Sequence, residues 1–179
     1  MACSIEATAG HPSANSFATI AEADAYHETH VAGATWAAYT EDQKCRALQQ
    51  ATRHFMAYVR WFGWATSPTT QVLPFPRAGL RDPHTRLDVN STTIPLALKW
   101  ATAEQARLLL ERDRSLETSQ GQEGVKRIKA GAVELDFADA AGGGVLQTIA
   151  PSAWQLVATW GELNQAGQGG AVRLTRHVG

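Results

Sequence analysis

The feature that most constrains the fold of this chain is a row of large side chains between residues 48 and 62. The row consists of Leu48, Thr52, Phe55, Val59 and Phe62. Their spacing of 4, 3, 4 and 3 residues places them on one face of an α-helix, as a stripe that must be buried. Just before it, Thr40 and Gln43 form a capping box, which satisfies free backbone NH groups at a helix start. The sequence therefore predicts a helix over 41–60.

Three further helices are predicted from capping and periodicity. Thr19 and Glu22 form a second capping box, and the helix that follows should run to about His30. Pro95 suits a first helical turn, and apolar residues then occupy nearly every side of the helix to about Leu116, which predicts a central helix contacted on several faces. A last helix begins at Pro151.

Prolines and glycines fill residues 63–93, and their density excludes a regular helix or a central strand there. The two prolines that flank Phe75 hold the backbone extended, so Phe75 should insert into the bundle while Arg77 points outward. Arg77 is interpreted as structural, with Asp82 or a neighbouring subunit as its partner.

A β-hairpin is predicted over 125–137, with Ala130 and Gly131 as its turn. In this register Arg127 faces Glu134, and a basic first strand pairs with an acidic second strand. A hairpin leaves edge NH and CO groups unpaired and ready for strand addition. Arg127 and Glu134 are therefore candidate inter-subunit residues.

These elements predict a mainly α protein, a small bundle of about four helices over 18–137 with an inserted β-hairpin and extended N- and C-terminal arms. Residues 1–17 are small and polar and are expected to form a loose arm. Residues 138–150 are expected to be a Gly-rich linker, and 151–179 a C-terminal helix and tail. The apolar fraction of 44% and the charged fraction of 18% are typical of a globular chain.

Charge and motifs exclude several classes of protein. A net charge of −1 argues against tight, non-specific DNA binding as the main role, and no stretch approaches the roughly 20 apolar residues of a membrane span. Cys3 and Cys45 are predicted to be reduced thiols. No Walker loop, nucleophile elbow or zinc-protease motif occurs, so no enzyme and no cofactor are expected.

Two histidines, His27 and His30, lie one helical turn apart in the first predicted helix. That spacing can ligate a metal ion, but no third or fourth ligand is apparent in the sequence. We therefore interpret them as surface or interface histidines, and no metal site is predicted.

Four segments, in this order and spacing, carry a resemblance to a known class of protein. They are SFATIAEADAYHETH, KCRALQQAT, QVLPFPRAGLRD and IPLALKWATAEQA. Over residues 16–137 the chain resembles the head–tail connector proteins of tailed bacteriophages, also called adaptor or head-completion proteins. Related sequences have been labelled DnaT-like single-stranded DNA-binding proteins.

The resemblance implies a structural subunit that forms a ring, commonly of twelve copies, beneath the portal protein and that has no catalytic residues. Double-stranded DNA would pass through the ring without specific binding, and a tail completion, terminator or stopper protein would dock below it. The protein would be made in the cytoplasm of the bacterial host and reside in the virion at the head–tail junction. The alternative is a single-stranded DNA-binding accessory of replication.

Three arginines recur every seven residues along the predicted helix 41–60 and its end, opposite the buried stripe: Arg46, Arg53 and Arg60. At 1.5 Å per residue they stand about 10 Å apart. They form a solvated face, an inter-subunit seam or a set of phosphate contacts. Trp61 and Trp64 follow, and they either stack single-stranded bases or close the core beneath the proline-rich loop.

The last predicted helix carries an apolar stripe made of Trp154, Leu156, Val157 and Trp160. The stripe either packs back on the chain's own core or contacts the portal. In the second case Arg173 and Arg176, in the tail, would add charge complementarity.

Overall fold

The structure is a computed structural model, and it describes most of the chain. The described ranges are 2–83, 85–111, 127–130, 133–136 and 148–164, the two short ranges at 127–136 by their backbone alone. The helices are α1 (Ile20–Glu28), α2 (Gly33–Ala37), α3 (Glu41–Tyr58), α4 (Leu96–Glu111) and α5 (Pro151–Gln155). The strands are β1 (Val59–Trp61), β2 (Trp64–Ala65), β3 (Arg77–Ala78), β4 (Arg127–Ala130), β5 (Val133–Asp136) and β6 (Gly161–Leu163).

Both capping boxes predicted from the sequence are present. The Thr19 hydroxyl accepts a hydrogen bond from the Glu22 backbone NH at 3.2 Å, and the Glu22 carboxylate accepts one from the Thr19 NH at 2.9 Å. Thr40 and Gln43 make the same reciprocal pair at the start of α3. These local bonds fix where α1 and α3 begin.

The centre of the fold is the antiparallel pair of α3 and α4. The Tyr39 hydroxyl, just before α3, donates to the carbonyl of Leu110 near the end of α4, while His54 lies 3.4 Å from Gln105. Leu48 and Phe55, from the predicted stripe, are completely buried. Burying a side chain of this size contributes about 1.5–3 kcal/mol. The packing of this stripe against α4 is therefore a main source of stability.

The far end of the stripe differs from the prediction. The helix ends at Tyr58, and Val59 continues as β1. Because side chains alternate across a strand, Val59 and Trp61 are buried while Phe62 is 43% exposed. Phe62 therefore lies on the surface instead of completing the stripe.

The proline-rich loop packs on the bundle as predicted. Phe75 is 1% exposed, and its ring meets those of Phe17 and Trp61 edge to face. Such pairs add about 0.5–1.5 kcal/mol beyond area burial. The short strands β2 and β3 pair antiparallel, with Trp64 opposite Ala78, and this pairing closes the first half of the loop, residues 66–76.

The N-terminal segment corrects two predictions. Instead of a loose arm, residues 2–17 pack on α3: Phe17 is fully buried, and its NH donates to Thr52. Cys3 and Cys45 are joined in a disulfide, so they are not the reduced thiols that the sequence predicts. Composition indicated only that the segment was small and polar, whereas its long-range contacts determine that it is ordered.

The C-terminal segment also differs from the prediction of one long helix. α5 contains only five residues, a 3-10 turn follows, and β6 then pairs antiparallel with β1. Just before α5, in the predicted linker, Ile149 is buried, and Gln105 hydrogen-bonds both the Thr148 carbonyl and the Ala150 NH. The predicted tail beyond residue 164 lies outside the described residues, as does the predicted end of the central helix at Leu116.

The predicted hairpin is present as β4 and β5, so the prediction of a mainly α bundle with a small β-hairpin is confirmed. α2 was not predicted, because the sequence indicated no helix between His30 and residue 41, and it begins at Gly33. Among the helices of the described ranges, none has the length and apolar character needed to cross a membrane.

Candidate interaction surfaces

An aromatic loop, residues 61–64, connects β1 to β2 at the end of α3. Gly63 has a φ of +66°, and a Cβ there would lie 2.2 Å from the Ala78 carbonyl oxygen. Arg77 fixes the loop from below, donating from Nε to the Phe62 carbonyl and from Nη2 to the Gly63 carbonyl, each at 2.8 Å. The hydrogen bonds of Arg77 therefore lie within the chain, while Trp64 is 64% exposed.

The two tryptophans of the aromatic loop have different roles. Trp61 is 8% exposed and closes the core beneath the proline-rich loop, the second of the two predicted alternatives. The ring of Trp64 lies against Gly79, where a Cβ would stand 2.5 Å from the Trp64 Cζ3 atom. This support leaves most of the Trp64 ring open to solvent.

Two apolar clefts open on the surface. The proline-loop cleft, of about 380 Å³, includes Met56, Val72 and Pro74 in its lining. The α1–α4 cleft, of about 340 Å³, lies between α1 and the start of α4 and is lined by Tyr26 and Trp100 among others. The two clefts share no residue among their described linings, so the molecule presents two different apolar surfaces.

The α1–α4 cleft combines apolar and charged groups. Leu96 and Trp100 are 58% and 39% exposed, and the Trp100 ring lies 6.1 Å from that of Tyr26. Lys99 and Glu22, which also line it, form an ion pair with each other. Burial raises the pKa of Glu22, but the hydrogen bonds from Lys99 and Thr19 outweigh this effect and the pKa falls below its usual value. The carboxylate is therefore charged at neutral pH.

The arginine row is mostly satisfied within the chain. Arg46 donates to Asp42 at 2.8 Å, and Arg60, which lies in β1 and not on α3, donates to Glu162 of β6 at 2.8 Å. Arg53 makes a longer bond of 3.3 Å to Gln50. Exposed pairs of this kind stabilise a fold by at most about 1 kcal/mol. The charges of Arg46 and Arg60 are paired with carboxylates, whereas the described partner of Arg53 is the neutral Gln50. This arrangement fits the predicted alternative of a solvated face.

The hairpin has a different register from the predicted one. Arg127 is opposite Asp136, and Glu134 is opposite Lys129. The predicted pairing of Arg127 with Glu134 is therefore wrong: the observed partner of each residue lies two positions away from the predicted one, because Ala130 pairs with Val133. In the observed register, basic residues of β4 are still opposite acidic residues of β5.

The predicted portal-binding stripe is largely turned inward. Val157 is completely buried and Trp160 is 5% exposed, with its indole NH donating to the Arg81 carbonyl. Trp154 and Leu156 are half-buried and pack against the same core. The structure therefore matches the alternative in which the stripe packs on the chain's own core. Arg173 and Arg176 lie outside the described residues.

A buried polar cluster connects α1 to α4, and it was not apparent from the sequence. His27 comes from the last turn of α1, His30 from the turn that follows this helix, and Glu104 from α4, and one ligand atom of each lies within 4.8 Å of the others. His27 is 1% exposed, so the interpretation of both residues as surface histidines is wrong for His27. One signal was available: Glu104 and Arg107 lie in a helix predicted to be contacted on several faces, and charged residues are rarely buried unless they are paired.

The charge of the cluster is set by its hydrogen bonds. Burial raises the pKa of Glu104, but the hydrogen bond and attraction of Arg107, together with the Ser152 hydroxyl, outweigh this effect and keep the pKa below its ordinary value. Burial lowers the pKa of His27, and the Ala103 carbonyl opposes this only in part. Glu104 is therefore charged and His27 neutral at neutral pH.

Comparison with known proteins gives one family. The family model with the description "Putative DnaT-like ssDNA binding protein" matches residues 1–177. No curated protein and no solved structure matches the chain significantly.

Proposed function

This chain belongs to the family described as "Putative DnaT-like ssDNA binding protein", and on that premise we propose that it is a structural subunit that assembles side by side into a ring. The ring would be that of a phage head–tail connector, with twelve copies beneath the portal and a tail completion, terminator or stopper protein below. It would hold no cofactor and catalyse no reaction. Its place would be the head–tail junction of the virion.

One observation carries the proposal: among the described residues, the aromatic loop and the α1–α4 cleft both expose aromatic side chains and share no residue. A contact between two different surfaces is heterologous, and repeated heterologous contacts generate a closed ring when the rotation between neighbours permits it. In the proposed ring, Phe62 and Trp64 of one copy insert beside Tyr26 and Trp100 of the next. Aromatic anchors in a desolvated pocket are the usual source of binding energy at such contacts.

The distribution of charge agrees with a channel through which DNA slides. The net charge is −1, with 16 basic and 17 acidic residues. The guanidiniums of Arg46 and Arg60 are engaged by carboxylates of the same chain. Tight binding to nucleic acid depends on cations that are free to replace counterions along the phosphates. Sparse free cations would let DNA pass without being held.

A pair of charge substitutions on the two surfaces tests the ring. Trp64→Glu removes the inserting side chain and Trp100→Glu blocks the cleft, so each variant alone should stay monomeric under conditions in which the wild type forms rings. Mixed together, the two variants should give a one-to-one heterodimer, because one intact loop and one intact cleft remain.

Size-exclusion chromatography with light scattering measures the masses of these species. Electron microscopy images the wild-type ring with portal protein of the same phage.

Val31→Glu is the matched control, since Val31 is fully exposed and lines neither cleft. It should assemble like the wild type. A wild type that stays monomeric both alone and with portal protein would contradict the proposal. So would rings formed by either tryptophan variant alone.

A second candidate is single-stranded DNA binding, favoured by the family's description and by the exposed ring of Trp64. A supported and exposed aromatic ring can stack a base, which contributes about 1–3 kcal/mol. Binding would then quench tryptophan fluorescence and weaken steeply with salt. Trp64→Ala should abolish the quenching by an oligonucleotide if this function is correct. Absence of quenching in the wild type at low salt would exclude it.

A further inference from the structure

The buried cluster of His27, His30 and Glu104 has the donor set of a metal site. His27 lies in the last turn of α1, and His30 lies in the turn that follows the end of the helix at Glu28. This turn brings the centroid of the His30 ring to 5.8 Å from that of the His27 ring. Glu104 reaches the same point from α4. Two imidazoles and one carboxylate are the three protein ligands found in many open zinc sites.

The ring of His27 makes the backbone hydrogen bond that a metal-binding histidine usually makes. Its Nε2 atom lies 3.1 Å from the Ala103 carbonyl oxygen and donates to it, which leaves a lone pair on Nδ1. Within the part of the chain that the structure describes, buried Nδ1 has no hydrogen-bond partner. A ring NH bonded to a backbone carbonyl fixes the tautomer and orientation of a ligating imidazole. Packing against Trp36, with ring centroids 4.6 Å apart, holds the ring further.

A buried nitrogen without a hydrogen-bond partner is energetically costly. His27 therefore destabilises the fold unless something occupies the position that Nδ1 faces.

The charges around the cluster favour a cation. Arg107 donates to Glu104 at 2.8 Å and to Glu111 at 2.7 Å, so one guanidinium is shared between two carboxylates. The three groups together carry +1 − 2 = −1. Arg107 donates to Glu104 Oε1 at 2.8 Å and, over a longer distance of 3.3 Å, to Oε2, which also lies 3.9 Å from the His30 Nε2 atom. One carboxylate oxygen is therefore directed towards the histidines.

We propose that His27, His30 and Glu104 bind a divalent transition-metal ion, for which Zn²⁺ is the best fit, with water at the fourth position. Metal–ligand distances of about 2.0–2.2 Å place the ligand atoms of a tetrahedral site about 3.3 Å apart, so they must approach by roughly an ångström from their present positions. His30 can make this movement, since 28% of its side chain is exposed. The same exposure gives the ion a path from solvent. The bound ion would cross-link α1 to α4.

The test measures Zn²⁺ binding to untagged, chelator-treated full-length protein by isothermal titration calorimetry. One ion per chain should bind to the wild type, and Zn²⁺ should raise its melting temperature. His30→Ala should weaken binding at least about tenfold, since losing even an outer partner of a ligand costs 10–100-fold. His30 is half-buried, so this variant should keep its fold by circular dichroism, and Glu104→Gln should weaken binding in the same way.

His11→Ala is the control, because His11 is exposed in the N-terminal segment and lies outside the cluster. It should bind Zn²⁺ like the wild type. Substitution with Co²⁺ should give the visible absorption of a tetrahedral nitrogen and oxygen site in the wild type and not in His30→Ala. The proposal is overturned if the wild type binds no stoichiometric Zn²⁺. It is equally overturned if His30→Ala binds as tightly as His11→Ala.

Discussion

At the scale of single residues, Arg77 determines the shape of the surface that carries Phe62 and Trp64. Its guanidinium donates to four backbone carbonyls, those of Trp61, Phe62, Gly63 and Pro74. Lysine cannot replace it, because an ammonium lacks the planar fork that reaches several acceptors at once. The sequence suggested an acidic or inter-subunit partner for this residue. Its guanidinium instead donates hydrogen bonds to the backbone of the aromatic loop.

Arg77→Ala should lower the free energy of unfolding by about 1–3 kcal/mol, because several charge-assisted hydrogen bonds are lost together. Urea denaturation followed by circular dichroism measures the change. Arg53→Ala, which removes one exposed and long hydrogen bond, should change the free energy by less than about 0.5 kcal/mol. An equal effect of the two substitutions would show that Arg77 does not hold the loop.

At the scale of elements, the fold depends on attaching both chain ends to α3 and its continuation. The N-terminal segment is held by the Cys3–Cys45 disulfide and by the Cys3 NH, which donates to Asp42 at 3.0 Å. At the other end, β6 adds to β1, with Arg60 opposite Glu162. A disulfide removes conformational entropy from the unfolded chain, and the gain grows with the loop that it closes. Here 42 positions separate the two cysteines.

Cys3→Ser should therefore lower the free energy of unfolding by about 2–4 kcal/mol in oxidising buffer. A reductant should lower the wild-type stability by a similar amount and leave that of Cys3→Ser unchanged. Thermal denaturation with and without dithiothreitol provides the measurement. A reductant effect of equal size on both proteins would mean that the disulfide is not its cause.

At the scale of the whole molecule, stability at low pH is limited by groups that connect α1 to its neighbours. Glu22 pairs with Lys99 of α4, Asp24 with Lys44 of α3, and Glu104 with Arg107. Burial raises the pKa of each of these three carboxyls, but their hydrogen bonds and basic partners outweigh it, and each pKa lies below its ordinary value. Burial also lowers the pKa of His27.

All four shifts act in the same direction. A group whose pKa is lower in the folded chain stabilises the fold above its unfolded pKa, and that contribution is lost as the pH falls. The stabilising contribution of His27 should be lost first, as the pH drops below 6.5, the pKa of this group in the unfolded chain. The contributions of the carboxyls should be lost next, below pH 4.5. The titratable and charged groups around His27 are Asp24, Tyr26, His30, Glu104 and Arg107.

The melting temperature should accordingly fall in two stages as the pH is lowered from about 8 to about 3. His27→Gln should flatten the first stage, because the uncharged side chain takes up no proton on unfolding, and it should leave the second stage in place. Differential scanning fluorimetry in a series of buffers at constant ionic strength measures both curves. A first stage that persists in His27→Gln would assign it to another group.

The sequence by itself determined the starts of α1 and α3, because a capping box closes within a single helical turn. It also determined the helical face that Leu48 and Phe55 bury and the insertion of Phe75, since periodicity and proline geometry act over a few residues. The Cys3–Cys45 disulfide, the pairing of β6 with β1 and the cluster of Glu104 with His27 and His30 became apparent only from the folded chain. These partners lie 42 to more than 100 positions apart in the sequence, and no local preference of the backbone specifies them. Each forms because closing the core around α3 and α4 brings the two segments together, and the free energy of that closure belongs to the whole chain.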